Sequence, residues 1–167
     1  HHDDDMVLGF SNVHISGTGA SDYGALMFMP TSGFDVSKAT EQGLRSSMDK
    51  ASEEAAPGYY GVRLSDFDIS VELTATEHSA LHRYQFAAGE DEAVVVIDPS
   101  HAIVGCDVSE ARLQVSADGG EFSGELLYQG SLTGRSGGVR LFFSARPSVL
   151  PESWTLWQDG QFSEGAL

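Results

Sequence analysis

From Gly58 onward the chain alternates apolar and polar residues with a period of two, and this limits what it can fold into more than any other feature. An α-helix brings residues three and four apart to one face, whereas a strand brings alternate residues to one face. Ile69, Val71, Leu73 and Ala75 alternate with Ser70, Glu72, Thr74 and Thr76, which predicts a half-buried strand with the first set facing a core. Tyr60, Val62 and Leu64 repeat the pattern before it, and Ala80, His82, Tyr84 and Phe86 after it. Val139, Leu141, Phe143 and Ala145 do so again near the end. Val94–Ile97 is wholly apolar and reads as a central strand, and Ala25–Met29 as a buried strand closed by the turn signal Pro30-Thr31-Ser32-Gly33. Ala117-Asp118-Gly119-Gly120 and Asp159-Gly160 are hairpin turn signals, and the 19 glycines suit a turn-rich chain. Only Ser46–Ala56 suggests helix, a turn or two. The reading is eight or nine short strands in an all-β antiparallel sandwich.

Composition removes whole classes of function. Nine Lys and Arg against 25 Asp and Glu leave a net charge of −16, which repels phosphate backbones and anionic lipid. No apolar run approaches the roughly 20 residues that span a bilayer. The sequence thus predicts neither a nucleic-acid nor a membrane partner. At 167 residues one domain is expected. Residues 1–6, beginning His1-His2-Asp3-Asp4-Asp5, read as a tag and linker remnant, leaving residues 7–167 as the sandwich domain. Cys106 is the single cysteine, so cysteine usage does not fix a compartment.

Individual chemical motifs are weak. His78 and His82 are four apart, but on a strand that spacing is about 13 Å, too far for one zinc ion to bridge. Gly17-Thr18-Gly19 opens like a dinucleotide fingerprint, yet Asp22 stands where its third glycine belongs and no helix follows. Ser11, His14 and Asp22 supply the residue types of a triad, but their spacing gives it no support, and turn-forming Ser and Asp are the commoner explanation. Trp154 and Trp157 offer either a sugar-stacking surface or core; three apart on a strand, they point to opposite faces.

The segment Gly9-Phe10-Ser11-Asn12-Val13-His14-Ile15-Ser16-Gly17-Thr18-Gly19-Ala20-Ser21-Asp22-Tyr23-Gly24 resembles the N-terminal signature of glycoside hydrolase family 92, the calcium-dependent exo-acting α-mannosidases. The resemblance continues in register through Met29-Pro30-Thr31, Pro57-Gly58-Tyr59-Tyr60, Glu72-Leu73-Thr74-Ala75-Thr76, Leu81-His82-Arg83-Tyr84-Gln85-Phe86, Ile97-Asp98 and Phe142-Phe143-Ser144-Ala145-Arg146-Pro147. It departs at Asn12, where the family pattern usually has His, at Ala25, often acidic, and across residues 34–56.

The resemblance implies an N-terminal β-sandwich followed by an α-helical barrel. The barrel would carry the catalytic acid and base and most of the calcium ligands, so no catalytic or metal-binding residue is expected in this chain. It implies inverting hydrolysis of terminal α-mannose from glycans, α-1,2 linkages among them, in a secreted, periplasmic or cell-surface setting. The expected substrate-binding residues are Ser11, His14, Ser16, Asp22 and Tyr23. Two other roles stay open: a stand-alone carbohydrate-binding module and a purely structural domain packed on the barrel.

Overall fold

A computed structural model describes residues 4–14, 22–38, 40–158 and 161–165. Strands account for 54% of the chain and helix for 6%, the all-β class that the alternation predicts. Fourteen strands are present among the described residues, more than the eight or nine expected, because two- and three-residue pairings occur in stretches that read as loop. All registered pairings are antiparallel. The chain forms two compact units, residues 1–12 with 27–97, and residues 13–26 with 98–167.

The first unit holds a five-stranded sheet. Its order is β1 (Met6–Val7), β5 (Ser46–Ala56), β6 (Tyr59–Leu64), β7 (Ile69–Ala75) and β8 (Ala80–Gln85). β4 (Met27–Ser32) pairs separately with β9 (Ala93–Asp98). Met27 and Met29 of β4 pack in one cluster with Val62 and Leu64 of β6 and Ile69 and Val71 of β7, with Val96 of β9 against its edge. Two sheets facing across an apolar layer make this unit a small sandwich. Phe10 and Leu44 join the same cluster. Leu44 closes the four-residue helix α1 (Glu41–Leu44), whose N-cap Thr40 accepts from the Gly43 amide at 3.1 Å.

Several expectations are corrected here. Ser46–Ala56 is strand, not helix. Its Ala, Glu and Lys favour helix, but pairing with β1 and β6 on either side overrides that preference. A bulge between Asp49 and Glu54 accommodates its length, with Asp49 accepting from the Ala51 amide and the Ser52 hydroxyl. Pro57-Gly58 then closes the β5–β6 hairpin, with Gly58 at φ +79°. The apolar run 25–29 is broken at Leu26, whose φ is +60°, and β4 runs on through Pro30 and Thr31 to Ser32. The Lys38 ammonium reaches the carbonyls of Ser32 and Gly33 at the end of that strand and lies 5.3 Å from the Phe67 ring centre.

β9 is not central: among the described residues it pairs only with β4, and Val95 is exposed. On β7, Ile69 and Val71 are fully buried and Leu73 partly so, but Ala75 is exposed beyond the end of the core. The segment set aside as tag joins the sheet at its edge, where the Asp5 carbonyl accepts from the Met48 amide at 2.8 Å.

In the second unit, β10 (Asp107–Val115), β11 (Phe122–Gln129) and β12 (Val139–Ala145) form a meander. Leu126 and Tyr128 of β11 are buried. The side chains of Arg112, Glu125, Arg140 and Glu110 pair along the other face. β2 (Val13–His14) pairs with β3 (Tyr23–Ala25), and β13 (Trp154–Gln158) with β14 (Gln161–Gly165).

The packing assigns different weights to two leucines. Leu64→Ala, at a fully buried position, should cost about 2–5 kcal/mol in urea unfolding, whereas Leu81→Ala, on exposed β8, should cost under about 0.5 kcal/mol. Equal costs would show the core face wrongly assigned.

Candidate functional site

The signature segment is divided between the two units. In the first, Phe10 and Phe28 exchange backbone hydrogen bonds of 2.8 and 2.9 Å, which fixes the chain just before Ser11 and Asn12. Gly9 makes this approach possible, since a Cβ there would lie 2.2 Å from Met27 Cγ. Ser11 is partly buried and Asn12 exposed. Asn12 Oδ1 is hydrogen-bonded to His82 Nε2, and His82 Nδ1 lies 2.6 Å from the Tyr84 hydroxyl. The His82 ring meets Phe28 and Tyr84 edge-on, at centroid distances of 5.2 and 5.8 Å. Burial lowers the pKa of His82 and raises that of Tyr84, so the ring is held neutral and the phenol protonated near neutrality.

In the second unit, Asp22 is 1% exposed, so its carboxylate is costly unless bonded. It accepts from the Leu132 amide at 2.6 Å, from the Thr133 hydroxyl at 3.0 Å and from the Ser131 hydroxyl at 3.4 Å. Burial alone would push this carboxyl up, but the bonds from Leu132, Thr133 and Ser131 outweigh it and hold the pKa below its ordinary value. A Cβ on Gly130 would lie 2.1 Å from Asp22 Oδ1, so only glycine allows the turn to come this close. Asp22 is therefore a long-range tie between this segment and the turn at 131–133.

Tyr23 follows with φ +65°, a left-handed backbone that aromatic residues rarely adopt. Two contacts with Tyr128 hold it there. The rings stack with centroids 5.4 Å apart and planes 5° from parallel, and the Tyr128 hydroxyl donates to the Tyr23 carbonyl at 2.6 Å. His14 pairs with Tyr23 through β2 and β3, across a register shift between Val13 and His14. Ser16, Gly17 and Gly19 lie outside the described residues.

His82 and Asn12 are the contact that sequence reading missed. A residue pair 70 positions apart leaves no spacing signal, although both stand within the segments that carry the resemblance. His78 sits in an exposed turn, its ring 3.7 Å from the Glu77 carboxylate. No group of three or more metal-ligating side chains occurs among the described residues. No helix among them is long and apolar enough to cross a membrane.

The family described as "Glycosyl hydrolase family 92 N-terminal domain" matches residues 1–166. The chain belongs to this family. An α-mannosidase of family 92 from Bacteroides thetaiotaomicron superposes on 97% of the chain with a TM-score of 0.82 and 27% identity. The structure of that mannosidase in complex with mannoimidazole superposes on 94% with a TM-score of 0.80 and 29% identity. An uncharacterized secreted glycosidase of the fungus Arthroderma benhamiae is 30% identical over 132 residues, 68% of this chain. The chain spans 22% and 20% of the two mannosidase structures and 16% of the fungal glycosidase. It thus corresponds to one part of each of these relatives.

Asp22 yields a stability prediction with a definite sign. A carboxyl whose folded pKa is depressed contributes stability above its unfolded value and loses it as pH falls through the folded value. Asp22→Asn should therefore lower the thermal midpoint at pH 7 and lessen the further loss that wild type shows below about pH 4. Gly130→Ala should lower the midpoint as well, by steric displacement of the same carboxylate. Scanning calorimetry from pH 7 to 2 reads both, and a midpoint unchanged in D22N would exclude the tie as a stabilising contact.

Proposed function

We propose that this chain is the substrate-site-shaping part of an α-mannosidase that removes terminal mannose from glycans. The observation that carries the reading is the match to the family over residues 1–166, joined with likeness to an α-mannosidase at a TM-score of 0.82. The mannoimidazole complex of that neighbour points to a mannose-shaped substrate. The secreted fungal relative favours an extracytoplasmic setting.

In this reading hydrolysis proceeds with inversion. A general acid protonates the leaving oxygen while a general base activates water on the opposite face of the sugar, the two carboxyl groups standing roughly 6.5–9.5 Å apart. Both groups belong to the partner domain downstream in the same polypeptide. Calcium belongs to this reading too, as a ligand of sugar hydroxyls. In this reading the ion is held by the downstream barrel, and no step here runs through it.

The contribution of this chain is orientation, which converts binding into a near-attack geometry. The residues expected to meet the sugar in this proposal are those of the signature, Ser11, His14, Ser16, Asp22 and Tyr23, and within the second unit Asp22 and Tyr128 hold the backbone at Tyr23.

The full-length enzyme should release mannose from an α-1,2-linked disaccharide, lose that activity to a calcium chelator and regain it with calcium, while this 167-residue chain alone releases none. His14→Ala in the full-length enzyme should lower kcat/KM at least tenfold with little change in thermal midpoint. Chelator-insensitive release of mannose by the 167-residue chain would overturn the assignment.

A further inference from the structure

Asn12, His82 and Tyr84 form a line of three side chains joined by two hydrogen bonds, and the protons on that line have only a few places to go. A neutral imidazole carries one N–H and one acceptor nitrogen. In one arrangement the Tyr84 hydroxyl donates to His82 Nδ1, and the His82 Nε2–H donates to Asn12 Oδ1. Both ring nitrogens and the Tyr84 hydroxyl proton are then used. In the other, the carboxamide is turned over, Asn12 Nδ2 donates to His82 Nε2, and the Nδ1–H donates to the Tyr84 oxygen.

That second arrangement leaves the Tyr84 hydroxyl proton without an acceptor among the described residues, at a partly buried site where an unmade hydrogen bond is costly. A charged imidazolium is disfavoured by the burial of the ring between Phe28 and Tyr84. The first arrangement therefore prevails. It turns Asn12 Oδ1 toward His82 and leaves both N–H groups of Nδ2 with no acceptor among the described residues, on an exposed side chain.

We propose that Tyr84 and His82 lock the Asn12 carboxamide so that Asn12 presents a donor-only contact to a hydroxyl oxygen of the glycan. The inference rests on the reading of the Ser11–Tyr23 segment as part of a sugar site. An unlocked asparagine can turn over and offer either a donor or an acceptor. A locked one recognises only an oxygen lone pair, and it does so without losing rotational freedom on binding. His82 and Tyr84 are positioning residues, and Asn12 sets specificity.

Two measurements test this. In the 15N-labelled chain, the His82 ring should show a protonated Nε2 and a pyridine-type Nδ1, and Tyr84→Phe should raise the population of the opposite tautomer. In the full-length enzyme, Asn12→Asp keeps the acceptor for His82 but removes both donors. It should lower kcat/KM for an α-mannoside by about tenfold or more with the thermal midpoint unchanged. Tyr84→Phe should cost a few-fold in the otherwise wild-type enzyme and nothing further when combined with N12D, because it acts through the carboxamide. A protonated Nδ1 in wild type overturns the lock. An N12D enzyme as active as wild type, or a Y84F effect that is the same with and without N12D, overturns the contact. A wild-type enzyme that releases no mannose defeats the activity reading and the glycan contact with it, whereas the lock then stands or falls on the tautomer alone.

Discussion

The packing of Met27 and Met29 onto Val62, Leu64, Ile69 and Val71 is the constraint from which the first unit follows. Among the described residues β4 shares no backbone pairing with the five-stranded sheet, so this apolar layer, with a Ser32 hydroxyl bond to the Phe67 carbonyl, holds it across from β6 and β7. Where β4 is placed, Phe28 is placed, and the Phe10–Phe28 bridge then sets the chain that leads into Asn12. Gly9 must lie against Met27 for that bridge to form. The position of a polar surface residue thus depends on a buried methionine three links away. Methionine suits the task, because its unbranched side chain fills irregular gaps between two sheets.

The second unit solves the same problem with polar contacts. Tyr23, the first residue of β3, and Leu26, just past its end, both adopt positive φ, at a cost of order 1–3 kcal/mol each. The surroundings over-determine the first of them. Tyr128 both stacks on Tyr23 and bonds its carbonyl, and Asp22 gathers three donors from residues 131–133. A buried carboxylate is costly when a partner is missing, so each of the three bonds bears on the local backbone. Strain of this kind gathers where a fold must present particular side chains in a particular direction.

The sequence was legible where one physical signal dominated. The alternation at Ile69–Ala75 and Val139–Ala145 reflects sheets with one buried face, and both segments are strands. The Asp118-Gly119 turn follows from backbone chemistry within a few residues, and the Gly119 amide bonds the Ser116 carbonyl at 2.9 Å. Ser46–Ala56 was illegible because Ala, Glu and Lys carry a helical preference that two flanking strands override. Val94–Ile97 misled because a wholly apolar run encodes contact but not the number of strands beside it. In the candidate site, Asp22 stood out as a residue type, but its partners at 131–133 carried no local mark, and neither did His82 as the partner of Asn12. Contacts between distant segments are fixed by topology, which pattern alone does not supply.

The carboxylate of Asp22 meets partners 109 to 111 residues further along the chain. A ribosome adds about 5–20 residues per second, so roughly 5–20 s separate the emergence of Asp22 from that of the turn it binds. In that interval residues 27–97 are also made, and they belong wholly to the first unit. The nascent chain therefore completes the local hairpins β5–β6 and β7–β8 before the Asp22 carboxylate meets any of its donors. Asp22 is thus made well before the turn that fixes it, and its carboxylate waits for donors that the first unit does not supply.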